Sequence, residues 1–560
     1  MKLLKTLLLC MVALNSVPSY ASNGECETYL QSEIEARQFN QDYQSTFEQQ
    51  VCRLVDADYA EKEILINGIA KSEDENALFV INALLNADLF YNKKNGDVVT
   101  RKELENGKYQ AISVFTQQEL GEFKKRDLRK IGINNSLRRV INGVVAELQI
   151  SSSNPADREA AALELLKAAD NSALPILEKA LTKESDEDIA TILQTARALV
   201  LLQSDDAIAR MESIQFLNGS LYVETRNGLN AFLNRAKQDA GLYGKAEILE
   251  AEKSLEAINQ LVKINGVMEN VYFGIALGAV LLLAAIGLAI TFGVMGVINM
   301  AHGEMIMLGA YTTFVIQQLM PNSIGMSLVV SIPAAFLVSG LVGVLIERTV
   351  IRHLYGRPLE TLLATFGISL VLQQAVRSIF GPLNQDVQTP DWMAGTFSVN
   401  AGLELTFNRL YIIIFSLLVL AALAVVLKKT LFGLQMRAVT MNRPMASSMG
   451  IKTGWVDALT FGLGSGIAGI AGVALSQLTN VGPNLGQQYI IDSFMVVVFG
   501  GVGNLWGTLV GAMSLGVANK IFEPMAGAVL AKIIVLVAII LFIQKRPRGL
   551  FALKGRSVED

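Results

Sequence analysis

Between residues 271 and 544 the sequence carries eight apolar runs, at 271–292, 304–319, 327–347, 360–380, 410–428, 455–478, 504–522 and 525–544. Each is long enough to cross, or nearly cross, the roughly 30 Å hydrocarbon layer of a bilayer as a helix. Backbone polar groups find no water in that layer, so such a chain is held to a bundle of helices. A shorter run at 492–500 covers about half that thickness. The expected architecture is a polytopic α-helical membrane domain with broken helices.

The breaks are marked by glycine and by polar side chains. Residues 293–311 read GVMGVINMAHGEMIMLGAY and place Asn299, His302, Gly303 and Glu304 inside an apolar stretch. Polar groups at bilayer depth must face a partner, a cavity or a substrate path. Gly293, Gly296 and Gly303 weaken a continuous helix, and broken helices build transporter binding sites. A tight turn whose polar groups bond one another is the plainer alternative. The pattern recurs at 499–507, FGGVGNLWG, where Gly500, Gly501, Gly503 and Asn504 interrupt a second pair of runs. Two such interruptions in corresponding halves point to a central pathway, although glycine serves close helix packing equally well. Gly462, Gly466 and Gly469 recur on one helical face without polar company, which reads as packing.

The first half differs. Residues before Glu269 carry a net charge of −9 and those from it onward +5, within a total of −4. A soluble, acidic domain joined to a membrane domain is expected. Residues 1–21 read as a signal peptide, with Lys2 and Lys5, a short apolar core and Ser19-Tyr20-Ala21 at the cleavage site. Of the three cysteines, Cys26 and Cys52 remain after cleavage. In an exported segment they are expected to form one disulfide, two independent thiols being the alternative. Residues 22–264 read as a periplasmic all-α domain. Helical spacing at Arg158, Ala161, Leu165 and Ala168 and at Ile189, Leu193, Ala196 and Val200, with a 30-residue offset, fits a HEAT-like repeat or an ordinary bundle. Residues 92–107 read as a polar loop.

Basic residues set the orientation. Arg348, Arg352 and Arg357 share one loop, Lys428, Lys429, Arg437, Arg443 and Lys452 another, and Lys545, Arg546, Arg548, Lys554 and Arg556 the tail. The positive-inside rule makes all three cytoplasmic. The first half is then outside, in agreement with the signal peptide. The membrane domain is assigned to 265–545 and a cytoplasmic tail to 546–560. The loop at 432–452 has its own amphipathic spacing, suited to docking on a partner or to plain solvation.

Several functions are excluded. The nucleotide-binding pattern G-x-x-x-x-G-K-[ST] is absent, and the two histidines, His302 and His353, make no metal cluster. No basic patch interleaved with aromatics argues for nucleic acid. No cofactor is expected.

Residues 293–311 resemble the first signature of bacterial ABC-transporter permeases of the branched-chain amino acid and urea type. Residues 500–507, the loop residues Arg437-Ala438 and Ala446-x-x-Met449-Gly450, and Arg546-Pro547-Arg548-Gly549-Leu550-Phe551 match further signatures of that family. The opening ITFGVMGVINMAHGEMIMLGAY is most similar to the urea permease (UrtB-like) subgroup. The resemblance implies a non-enzymatic inner-membrane permease for urea or a close amide. It also implies a second permease subunit, two cytoplasmic ATP-binding subunits, a periplasmic solute-binding protein and a surrounding lipid membrane. Arg437, Ala438, Arg443, Ala446 and Gly450 would then couple to the ATPase. Branched-chain amino acid import is the alternative within the family. A membrane receptor with an exported sensing domain and a passive urea channel are the alternatives outside it.

Overall fold

The computed structural model describes residues 24–39, 45–72, 74–104, 107–239 and 242–551. The expected signal peptide and residues 552–560 of the tail lie outside the described residues. The chain divides into two compact units, residues up to Ile258 and residues from Asn259.

The first unit opens with α1 (Glu25–Phe39), α2 (Phe47–Arg53), α3 (Tyr59–Lys71) and α4 (Ala77–Leu85). Asp58 caps α3, accepting from the Ala60 and Glu61 amides at 2.9 and 2.8 Å. This satisfies donors that the first turn leaves open. A disulfide joins Cys26 on α1 to Cys52 on α2, with Cα atoms 5.4 Å apart.

Next come β1 (Phe90–Asn92), β2 (Val98–Glu103), β3 (Tyr109–Ser113), β4 (Glu119–Phe123) and β5 (Leu128–Lys130). They form one antiparallel sheet in the order β4-β3-β2-β1-β5. The sheet overturns the expectation of an all-α, HEAT-like first half, and Val98–Glu103 within the supposed loop at 92–107 is strand β2. The physical reason is local. Asn95-Gly96, with Gly96 at φ +73°, supplies the left-handed backbone that closes a hairpin tightly. β-Branched Val98, Val99 and Thr100 follow directly. Val98 joins the helices around Val51, Leu54, Ile66, Leu84 and Ile141, while Val99 turns to the other face with Phe90, Ala111 and Leu128. On that face the Arg101 guanidinium lies 3.9 Å from the Phe90 ring centroid and 4.3 Å from that of Tyr109. The Cys26 amide donates to Asp97 Oδ1 at 3.1 Å, which ties α1 to the β1–β2 turn.

Helices α5 (Asn135–Gln149), α6 (Pro155–Ala168), α7 (Leu174–Leu181), α8 (Glu187–Leu201), α9 (Ala207–Leu217) and α10 (Val223–Gln238) complete this unit up to the long α11 (Lys245–Met295). Ile189, Leu193, Ala196 and Val200 are buried along one face of α8. Arg158 on α6 donates two hydrogen bonds to Glu184, at 2.9 and 3.0 Å.

The second unit contains the greater part of α11, then α12 (His302–Leu319), α13 (Ile324–Thr349) and α14 (Pro358–Phe380). A hairpin of β6 (Thr396–Asn400) and β7 (Leu403–Thr406) leads into α15 (Phe407–Lys429). The short α16 (Leu431–Met441) and α17 (Arg443–Ser448) precede α18 (Thr453–Ser476), α19 (Leu485–Gly500), α20 (Leu505–Ala526) and α21 (Ala528–Lys545). Among the described residues seven helices, α11, α13, α14, α15, α18, α20 and α21, are long and apolar enough to cross a membrane. The chain is a multi-pass membrane protein. The eighth apolar run, 304–319, forms α12 and is not among the seven; the first turn of α12 contains His302 and Glu304.

Buried along most of its length, α18 is the axis of this unit. Backbone meets backbone around it. A Cβ on Gly464 would meet the Gly287 carbonyl of α11, one on Gly472 the Ile306 carbonyl of α12, and one on Gly469 the Ala335 carbonyl of α13. Small residues permit this approach, which supplies the van der Waals contact that lipid-embedded helices need.

Two expectations follow for the first unit. Cys52→Ser should destabilise it by about 2–4 kcal/mol, read as faster amide hydrogen exchange in α2–α4 of the full chain; unchanged exchange would refute this. The Glu184 carboxyl is held below the usual carboxylate range, chiefly by the hydrogen bonds from Arg158. Its stabilisation is therefore present above the unfolded carboxylate value of about 4.3 and is lost as pH falls through the lower folded value. Glu184→Gln should flatten the acid limb of a pH–stability profile, and an unaltered limb would rule the linkage out.

Candidate functional site

α11 ends at Met295 and α12 begins at His302, and the linking residues 296–301 are not helical. Gly296, at φ +65°, takes the left-handed turn that other residues resist. Asn299, His302 and Glu304 are all at most 1% exposed. The partners of His302 and Glu304 lie on neighbouring helices. His302 Nε2 is 2.8 Å from the Ala284 carbonyl of α11, and Ser369 of α14 donates to Glu304 Oε1 at 2.9 Å. Ser339 of α13 donates to the Met305 carbonyl at 3.0 Å. The Asn299 Oδ1 accepts from the Ala301 amide at 3.0 Å. Gly303 packs against the Gly486 backbone at the start of α19. The N-terminus of α12 thus sits in the middle of the bundle, where its partial positive charge is unscreened by water.

Three buried atoms here have no hydrogen-bond partner among the described residues: Asn299 Nδ2, His302 Nδ1 and Glu304 Oε2. Buried polar groups are normally satisfied, because leaving one unmade costs about 1–3 kcal/mol, more if charged. Asp492 of α19, by contrast, pairs with Lys532 of α21 at 3.1 Å. Glu304 has no ion-pair partner among the described residues.

The second break closes differently. α19 ends at Gly500, and Gly501 and Gly503 take φ values of +105° and +80°. Asn504 caps α20, its Oδ1 accepting from the Trp506 and Gly507 amides at 3.0 and 3.2 Å and its Nδ2 donating to the Phe551 carbonyl at 3.4 Å. Gly500 packs on the Gly507 backbone, and a Cβ on Gly293 would lie 2.5 Å from the Gly503 Cα. The two breaks therefore adjoin through glycine, but only the first presents polar atoms left unpaired.

In the loop between α15 and α18, Arg437 donates to the Leu427 carbonyl. Arg443 pairs with the buried Asp457 of α18 and lies over the Tyr355 ring, 4.4 Å from its centroid. Ala438 packs against the bundle and Ala446 is buried within it. Gly450 takes φ +87° with open space around it. The large apolar side chains left outward are Leu431, Leu434, Met441, Met445 and Met449. The last three are spaced four apart, a pattern the sequence reading did not single out. It also passed over the polar positions of α14 that meet the first break.

A helix broken at mid-bundle, carrying ionisable side chains inside a multi-pass array, defines a membrane transport permease. The family model for the branched-chain amino acid transport system, permease component, matches residues 270–543, and the chain belongs to this family. It is 31% identical over 294 residues to the high-affinity branched-chain amino acid transport system permease protein LivH of Salmonella typhimurium, covering 50% of this chain and 94% of that one. It is 30% identical over 291 residues to BraD of Pseudomonas aeruginosa, covering 50% and 93%. A shorter match, 33% over 103 residues, covers 17% of this chain and 32% of the ribose import permease protein RbsC of Bacillus subtilis. No solved structure matches. These relatives are transport permeases, not enzymes.

A Cβ on Gly309 would strike the Gly469 backbone. Gly309→Val should cost about 1–3 kcal/mol through overpacking and lower the yield of monodisperse protein; an undiminished yield would contradict the close α12–α18 contact.

Proposed function

We propose that this chain is the translocating subunit of an ABC importer for a branched-chain amino acid, with its path running through the first break. The buried, unpaired Glu304 carries this reading. An ionisable group kept inside a membrane bundle without an ion pair is costly and marks a route or a ligand. The curated relatives at 30–31% identity, named as branched-chain amino acid permeases, support the substrate class.

In this reading residues 22–264 are exported, 265–545 lie in the inner membrane and the tail is cytoplasmic, as the basic loops favour. A second permease subunit completes the channel, a periplasmic solute-binding protein delivers the substrate, and two cytoplasmic ATP-binding subunits drive the cycle. They engage the outward face of α16 and α17, where Met441, Met445 and Met449 supply adaptable apolar contacts.

Urea is a second reading, favoured by the likeness of residues 290–311 to the urea subgroup and by the free amide donor of Asn299. Urea needs only paired donors and acceptors. Uptake by the complete transporter in vesicles separates the two. ATP-dependent leucine uptake is expected; urea uptake that leucine does not suppress would replace the substrate but keep the importer. Asn299→Leu should abolish uptake while the complex still assembles, and wild-type uptake would remove the break from the path. Gly450→Trp, at a left-handed position beside the docking face, should release the ATP-binding subunits during purification; their retention at normal yield would refute the docking assignment.

A further inference from the structure

α14 carries Thr361, Thr365, Ser369, Gln373 and Arg377 at every fourth position, which places them on one face. The first four are at most 6% exposed, whereas Leu359, Leu363, Phe366 and Leu370 point outward. Hydroxyls in apolar helices usually return their proton to the carbonyl one turn back. Thr361 and Thr365 do so, at 2.9 Å each to the Arg357 and Thr361 carbonyls, and Thr365 also accepts from the Met300 amide of the break at 3.1 Å. Ser369 instead gives its proton to Glu304. Gln373 donates to Asn484 Oδ1 at 3.0 Å, and Arg377 donates to the same oxygen at 2.7 Å. The face thus forms a polar seam that touches the break at Thr365 and Ser369 and the start of α19 at Gln373 and Arg377.

Charges of opposite sign meet this face, Glu304 at Ser369 and Arg377 two turns further along. Glu304 has one oxygen unbonded, and Arg377 has no carboxylate within ion-pair distance among the described residues. Several other charges of this unit are held in ion pairs: Asp492 with Lys532, Asp457 with Arg443, and Glu523 with Lys520 at 2.7 Å. An anion and a cation without ion-pair partners on one face of α14, the first buried and the second part-exposed, complement a solute that has both charges.

We infer that Ser369, Gln373 and Arg377 form the selectivity wall of the path, with Arg377 taking the carboxylate and Glu304 the ammonium of an α-amino acid. The inference rests on the amino acid importer reading. Arginine suits the carboxylate end because its fork binds two oxygens at once. Ser369 and Gln373 act as positioning residues: Ser369 fixes the Glu304 carboxyl, and Gln373 fixes Asn484 beneath the guanidinium.

The test is uptake of labelled leucine by the complete transporter in vesicles, with leucinamide (no carboxylate) and 4-methylpentanoate (no ammonium) as competitors. Wild type should prefer leucine over each by about tenfold or more, the worth of a charged hydrogen bond. Arg377→Gln should lose the preference over leucinamide and keep that over 4-methylpentanoate, and Glu304→Gln should do the reverse. Arg377→Lys, which keeps the charge, should retain part of the first preference and guards against a folding defect in Arg377→Gln. Equal loss of both preferences in Arg377→Gln, or loss of neither, overturns the wall while leaving the importer intact. A wild-type transporter that carries no leucine overturns the amino acid reading and the wall with it.

Discussion

Contact between helix backbones is the constraint on which the membrane half depends. In lipid the hydrophobic effect does not drive helices together, so van der Waals contact and hydrogen bonds must. Glycines at 287, 309, 464, 469 and 472 remove the side chains that would hold α11, α12, α13 and α18 apart. Only because these helices touch so closely can α12 start in the middle of the bundle. A looser array would admit lipid or water to residues 296–301, whose backbone lacks the full set of helical hydrogen bonds.

That frame explains how a carboxylate is kept dry. Glu304 lies in the first turn of α12, where the helix dipole favours negative charge. Ser369 satisfies one of its oxygens, and no ion pair among the described residues neutralises it. In the proposed import reading, the ammonium of a passing amino acid is the group that would neutralise it. The Asp492–Lys532 pair, nearby in sequence terms only through α19, has no such opening because each charge already has its counterpart.

Much of the membrane half was legible in the residues. Long apolar runs and glycine interruptions foretold the helices and both breaks, because helix length and hydrogen bonding in lipid leave few choices. The sheet was not, because strands of three to six residues rich in Lys and Glu dilute the alternation by which strands are recognised. The Asn95-Gly96 and Asn106-Gly107 dipeptides were the signal available. The polar seam of α14 was hidden for a related reason: four-residue spacing of Thr, Ser and Gln barely lowers the average of an otherwise apolar run. Which charges pair was beyond reach, since Asp492 and Lys532 are 40 residues apart. The roles of Asn504 and Arg437 likewise depend on carbonyls, at Phe551 and Leu427, that only the folded chain brings near.

The ion pair between Arg443 and Asp457 has a mechanical consequence. It fastens the first residue of α17 to one end of α18, while Gly464, Gly469 and Gly472 further along α18 abut α11, α13 and α12. Side chains cushion motion by changing rotamer, but touching backbones have no such slack. A displacement imposed at Arg443 would therefore be passed to α18, and the helices that flank Glu304 would have little slack to absorb it.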